Sequence, residues 1–243
     1  LTSVLAGFTG AELDLAAPGA LAALATRAGC PVVVARQVHG SDLIWVEGRP
    51  AQAVSDAGTG DGLATQRQGV ALVVKTADCV PVLLAAPTAP LPVVAAVHAG
   101  WRGVLGRIVP QVVAQLRAKG VGAIEAAIGP AACGQCYEVS AELAGRFRAA
   151  GEIVSRTRQG TPSLELAAAV ERQLRASGQI SQIWRSGKCT ICSAGYFSYR
   201  RQGTAAGRQC GFIAMWPSDN TPEKLPPKSA LGALGWRWAT SPP

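Results

Sequence analysis

From Cys79 to Trp101 the chain runs without a single Asp, Glu, Lys or Arg, and four prolines, Pro81, Pro87, Pro90 and Pro92, fall inside that run. Its length alone would let an apolar helix cross a bilayer. The prolines exclude this, because each removes a backbone donor and the closely spaced ones would break a spanning helix repeatedly. The stretch reads instead as two strands, Cys79 to Ala86 and Leu91 to His98, joined by the turn Pro87-Thr-Ala-Pro90. In an antiparallel pair the sum of opposing residue numbers is constant, so a register with Ala86 opposite Leu91 also sets Cys79 opposite His98. Direct cross-strand neighbours have Cβ atoms about 4.5–5.5 Å apart. That spacing suits a shared metal or a thiolate–imidazolium pair, although a buried thiol beside a satisfied histidine would give the same pattern. Asp78 precedes the cysteine and Ala99-Gly-Trp-Arg-Gly103 follows the histidine. A glycine-flanked turn into a helix there leaves N–H groups available to an anion, with Arg102 beside them.

The chain of 243 residues is 49% hydrophobic and 16% charged, the balance of a folded domain with a sizeable core. A formal net charge of +8 is compatible with nucleic acid, an anionic membrane surface or a phosphorylated small molecule. The basic residues are scattered, with no run longer than Arg200-Arg201 and no nucleic-acid-binding motif, so no nucleic-acid partner is expected. Seven cysteines, an odd number, and an opening segment unlike a secretion signal point to a reducing, cytoplasmic setting with thiols free or metal-bound.

Alternation and β-branched runs predict strands at Val32 to Val38, Leu43 to Val46, Val70 to Lys75, Val80 to Ala86, Pro92 to His98, Ile124 to Ile128, Gln182 to Arg185, Tyr196 to Tyr199 and Cys210 to Trp216. Helices are expected at Gly103 to Lys119, with a kink or late start at Pro110, at Ala141 to Ala149 behind Ser140, and at Leu164 to Ser177 capped by Ser163. One domain over residues 1–216 is expected, α+β in class. From Pro217 onward six of the sixteen prolines mark a loosely ordered tail.

The other histidine, His39, also ends an apolar run and stands beside Gly40. One cysteine and two histidines supply three ligands with a fourth position open, the arrangement of a catalytic zinc, whose bound water has its pKa lowered to about 7.

Around these residues the chain resembles the YfiH-like, laccase-domain family, known both as polyphenol oxidases and as purine nucleoside phosphorylases with adenosine deaminase activity. The matching segments, in order, are Gln37-Val-His39-Gly40, Asp61-Gly-Leu-Ala-Thr65, Thr76-Ala-Asp-Cys79-Val-Pro81, His98-Ala-Gly-Trp-Arg-Gly103, Ile128-Gly-Pro130, Tyr137-Glu-Val139, and Phe197-Ser-Tyr-Arg-Arg201 with Gly207-Arg208. The resemblance implies mixed β-sheets layered between helices, zinc on His39, Cys79 and His98, and purine nucleosides (adenosine, inosine, methylthioadenosine) with phosphate as substrates. The N-terminal segment, residues 1–29, departs from the family: Gly7-Phe8-Thr9-Gly10 runs into Glu12-Leu-Asp14 where relatives carry a Gly-Gly-x-Ser loop.

Arginine forks match phosphate oxyanions, which makes Arg102, Arg200 and Arg201 the candidate phosphate-binding residues, the last two alternating with aromatics on a strand-like segment. Asp78 is a candidate for orienting a histidine or moving a proton, or is a buried structural acid. Cys133-Gly-Gln-Cys136 and Cys189-Thr-Ile-Cys192 are either reduced thiols or one shared four-cysteine site, and Cys30 and Cys210 read as core thiols. Two other chemistries remain: a Cys79 nucleophile activated by His98, as in a thiol hydrolase or amidase acting on a cell-wall precursor, and copper-dependent phenol oxidation. Copper is disfavoured because a multicopper centre needs many imidazoles and the chain has two histidines.

Overall fold

A strand with no charge on either face needs an apolar layer on both sides, and that requirement sets the architecture. The computed structural model describes residues 2–87, 92–217 and 234–238. In chain order the elements are β1 (Thr2–Phe8), α1 (Ala20–Ala28), β2 (Val32–Arg36), β3 (Leu43–Trp45), β4 (Val54–Thr59), β5 (Gly62–Thr65), β6 (Ala71–Thr76), β7 (Val80–Ala86), β8 (Val93–Ala99), α2 (Trp101–Leu105), α3 (Ile108–Ala118), β9 (Ile124–Ile128), α4 (Ala141–Ala149), β10 (Val154–Arg156), β11 (Pro162–Leu164), α5 (Leu166–Ala176), β12 (Ile180–Arg185), α6 (Tyr199–Gln202), β13 (Gln209–Pro217) and β14 (Leu234–Trp238). Two mixed six-stranded sheets form, one in the order β14-β1-β13-β6-β2-β4 and the other β12-β9-β7-β8-β5-β3.

Side chains alternate along β7 and β8, and each face meets a different layer. Leu83, Ala85, Val94 and Ala96 pack into the space between the sheets against Val33, Leu72, Ile213 and Met215. Val82, Leu84, Ala95 and Val97 face outward and are covered by Val104, Ile108, Val112, Leu116 and Val170 from the helices. On the far side of the first sheet, Leu24, Ala25 and Ala28 of α1 close over Val32, Val73 and Phe212, and Cys30 and Cys210 are buried in this same layer. The chain is therefore a mixed α/β domain of helices, two sheets and helices again, as expected. Among the described residues no helix is long and apolar enough to cross a membrane.

Several local expectations change. The β7–β8 register places Ala86 opposite Val93 and Pro81 opposite His98, two residues away from the expected pairing. An even shift keeps every side chain on its face, so Cys79 becomes the diagonal neighbour of His98 instead of its direct partner. Thr88 to Leu91, most of the expected turn, lie outside the described residues. The expected helix over residues 103–119 is two helices broken at Gly106 and Arg107, where Arg107 takes φ 57°. Pro110 sits in the first turn of α3, where its missing N–H has no partner to lose. Ser163 caps nothing: it lies in β11 opposite Ser155, and α5 begins at Leu166. The segment expected as a strand over residues 196–199 leads into the short helix α6, capped by Ser198, whose hydroxyl accepts the Arg201 N–H. Of the proline-rich tail only Pro217 and residues 234–238 are described, the latter as an edge strand paired antiparallel with β1.

Because Leu83 is fully buried between the sheets, Leu83→Ala should destabilise the protein by about 2–5 kcal/mol. Urea denaturation with an unchanged m-value checks this.

Candidate functional site

The site forms where the chain crosses between the sheets. The loop after β2 carries His39 toward β3, the loop after β6 carries Asp78 and Cys79 into β7, and His98 is the penultimate residue of β8. Ligand atoms of His39, Cys79 and His98 all lie within 4.8 Å of one another. The two imidazole rings stand edge to face with centroids 4.8 Å apart. Burial is graded across the three, from exposed His39 through half-buried Cys79 to His98 at 3% exposure.

Two residues here hold left-handed backbone although neither is glycine: His39 at φ 61° and Asp78 at φ 92°. Such conformations cost roughly 1–3 kcal/mol and persist only when the surroundings enforce them. Gln37 begins the enforcement, its amide exchanging two 2.8 Å hydrogen bonds with the backbone of Lys75 and so pinning the His39 loop to β6. Asp61, 1% exposed, completes it. Its Oδ1 accepts from the His39 N–H (2.9 Å) and its Oδ2 from the N–H groups of Val38 (3.1 Å) and Gly40 (2.7 Å). The same Oδ1 lies 2.7 Å from Nδ1 of His98. An ionised carboxylate can only accept, so Nδ1 carries the proton and Nε2 is left for a metal. Burial works against the Asp61 charge, but the His98 ring and the backbone donors outweigh it and hold the carboxyl below its usual range.

Asp78 serves the neighbouring loop in the same way. Its carboxylate accepts from the Thr190 hydroxyl (2.7 Å) and the Arg200 N–H (2.7 Å), and its carbonyl from the Ala132 N–H (2.9 Å). The carboxylate bonded to His98 is thus that of Asp61, a residue inside a matching segment that sequence reasoning did not single out, while Asp78, for which orienting a histidine is one of three roles open in the sequence, makes its bonds to Thr190 and Arg200 instead.

Burial alone would push the Cys79 thiol up, but the nearby His98 ring and hydrogen bonds from both histidines bring it down to about 6. Burial disfavours the His98 cation, yet Cys79 and Asp61 raise that ring to about 9. The two shifts run together, each group favouring the charged form of the other. At Gly100 a Cβ would come within 2.9 Å of His39 Cδ2 and 3.1 Å of Cys79 Sγ, so this glycine keeps open the space the three ligands surround. Two imidazoles and a thiolate converging on a space of this size fit a metal ion with three protein ligands.

The three residues form the floor of a cleft of about 600 Å3. Arg102 lines it, its guanidinium stacked 4.2 Å from the Trp101 ring. Arg200 also lines it, over the ring of Tyr137 at 4.5 Å. Arg201 does not: its guanidinium donates to the carbonyls of Thr190, Ile191, Ser193 and Tyr196 and so braces the loop behind α6. Three further cations in the lining, Arg36, Lys75 and Arg208, were not anticipated. Arg208 is placed by the divergent N-terminal segment, since Asp14 Oδ1 accepts its backbone N–H at 2.8 Å. Thr76, also in the lining, has a buried hydroxyl with no partner among the described residues.

Two substitutions test this construction. In Asp61→Asn the amide NH2 must face donors whichever way it is turned, so we expect a loss of about 3 kcal/mol in stability together with loss of bound metal, measured by urea denaturation and elemental analysis. Gly100→Ala, at φ −78° and ψ 174° a backbone conformation open to alanine, should abolish metal binding while circular dichroism stays near wild type and Tm matches that of metal-stripped wild type.

Residues 18–216 match the family described as multi-copper polyphenol oxidoreductase laccase. Purine nucleoside phosphorylase ORF3 of Streptomyces griseus is 42% identical over 187 residues, covering 75% of this chain and 73% of the relative. Adenosine deaminase RL5, from an unknown prokaryotic organism, is 40% identical over 157 residues, covering 61% of this chain and 59% of the relative. The crystal structure of the hypothetical protein YfiH of Bacillus licheniformis superposes with a TM-score of 0.76 at 27% identity, covering 87% of this chain and 92% of that one. By the span of the family match, the chain belongs to the multi-copper polyphenol oxidoreductase laccase family.

Proposed function

We propose that the protein is a zinc-dependent purine nucleoside phosphorylase that also deaminates adenosine. The observation that carries this reading is the convergence of His39, Cys79 and His98 at the floor of a cleft lined by five cationic side chains. Homologues named for both activities support it. A zinc ion on His39, Cys79 and His98 would supply Lewis acidity at the floor of the cleft. Zinc is favoured over the copper of the family's description because two histidines cannot also furnish the imidazole-rich centre of a multicopper oxidase.

In phosphorolysis a phosphate oxygen bonds to C1′ of the ribose as the C1′–N9 bond breaks, and the electron pair leaves with the purine. Arg102 and Arg200, each on an aromatic ring, and Arg208 hold the phosphate beside the sugar. Tyr199, half-exposed in the lining, offers a ring face to the base. In deamination a water oxygen adds to C6 and ammonia departs, with a proton moved between the two by a group at the floor. Asp78, with its carboxylate occupied by Thr190 and Arg200, contributes chiefly by setting Cys79 and Arg200.

A second reading rests on the lowered Cys79 thiol and raised His98 ring, which form a nucleophile and its partner for a thiol hydrolase. Zinc content separates the two. Incubation with adenosine and phosphate should give adenine and ribose 1-phosphate, with inosine and ammonia as the deamination products. Chelation, or changing His39, Cys79 or His98 to Ala, should abolish both activities together. Undiminished turnover in metal-free protein would overturn the zinc reading.

A further inference from the structure

The two Cys-x-x-Cys pairs lie outside the cleft floor, and the fold brings them together although Cys133 and Cys189 stand 56 positions apart. The Sγ atoms of Cys133, Cys136, Cys189 and Cys192 all lie within 4.8 Å of one another. Thiolates at the corners of a tetrahedron around zinc, with Zn–S of about 2.3 Å, are about 3.8 Å apart. We propose that these four cysteines bind a second, structural metal ion of the zinc class, and that the ion locks together the two loops that carry Tyr137 and Arg200 to the cleft.

The loops are built to present sulfur. They follow β9 and β12, neighbouring parallel strands, and are joined by a bridge between Ala131 and Cys189. Each pair closes a tight turn, with the Cys136 and Tyr137 N–H groups donating to the Cys133 carbonyl and the Ser193 N–H to the Cys189 carbonyl. Backbone N–H groups aim at sulfur: Cys133 N lies 3.3 Å and Cys192 N 3.4 Å from Cys189 Sγ, the hydrogen bonding that stabilises a ligating thiolate. Gly134 closes the first turn, where its N–H donates to Glu165 and a Cβ would press on that carboxylate at 2.9 Å. Four thiolates around a divalent ion leave a net charge of −2, and Arg158 stands 3.8 Å from Cys192 Sγ to offset it. With four protein ligands no coordination position remains for substrate, which makes the site structural.

The link to the cleft runs through adjacent residues. Thr190, next to Cys189, holds the Asp78 carboxylate, which also anchors the Arg200 N–H. Arg201 fastens four carbonyls of the second loop. Tyr137, next to Cys136, lies under the Arg200 guanidinium. Loosening the four-cysteine cluster therefore loosens the groups that seat Cys79 and Arg200.

Metal analysis of the full chain purified under reducing conditions tests this. Wild type should contain two zinc ions per chain, Cys79→Ala one, and Cys79→Ala combined with Cys189→Ser and Cys192→Ser none. Should the triple variant fail to fold, Co2+ added to metal-stripped Cys79→Ala decides. Strong near-ultraviolet thiolate-to-cobalt charge transfer with tetrahedral d–d bands, displaced by one equivalent of Zn2+, is expected. Failure of Cys79→Ala to retain zinc or to take up Co2+, or a Cys136–Cys192 disulfide found by mass spectrometry in its place, would overturn the proposal.

Discussion

The Asp61 carboxylate accepts four hydrogen bonds and can donate none, and the arrangement of the site follows from that asymmetry. Three of the donors are consecutive backbone N–H groups, which forces the chain through a left-handed residue at His39. The fourth is the His98 ring, which forces one tautomer. A single buried charge thus sets the position of one imidazole and the protonation of another. Neither effect could be had from a neutral acceptor, because an amide brings its own donors into a place already full of them.

The double-sheet architecture explains why such a charge can be buried here. At the centre of each sheet the strands are apolar on both faces, so polarity is confined to the ends of strands and to crossings between sheets. The His39 and Cys79 loops are two such crossings, and Asp61 lies between β4 in one sheet and β5 in the other. Close approach of the layers at this end needs small residues. At Gly129 a Cβ would come within 2.4 Å of the Phe8 ring and 2.7 Å of Pro81, so the residue before Pro130 has to be glycine for β1 and β9 to meet. Pro81, opposite His98, is tolerated in a central strand because its carbonyl accepts from Gly129 while the His98 N–H turns to the Asp61 carbonyl.

Much of this was legible in the sequence, for identifiable reasons. The uncharged run revealed β7 and β8, and it brought Cys79 and His98 to one end even with the register two residues off, since an even slip preserves the face. The slip comes from closing the hairpin over four residues, Pro87 to Pro90, where the observed pairing of Ala86 with Val93 leaves six between them. β1 and β5 were missed because burial on both faces erases alternation, and β5 is only four residues long. Asp61 was passed over because an aspartate before a glycine reads as turn chemistry, while its real partners are up to 37 positions away. Arg201 was assigned to phosphate from its residue type; only tertiary structure reveals that backbone carbonyls occupy its donors. Sequence leaves the two Cys-x-x-Cys pairs open between free thiols and one shared site, because only the parallel pairing of β9 and β12 brings the two loops side by side regardless of the chain between them.

The charge of the cleft follows from how the acids are used. Asp61, buried behind His39 and His98, and Asp78, in the lining, each turn the carboxylate onto N–H or O–H donors of neighbouring segments. Among the described residues no ion pair engages Arg36, Lys75, Arg102, Arg200 or Arg208, the cations of the lining. Other arginines, on α5 and β12, are paired with glutamates. The five cations of the lining are therefore left without carboxylate partners where the neighbouring acids have been turned onto backbone and hydroxyl donors. A concave surface walled by a low-dielectric protein strengthens their field. The acids that build the candidate metal site and the cations that would draw in an anionic co-substrate are two consequences of one arrangement.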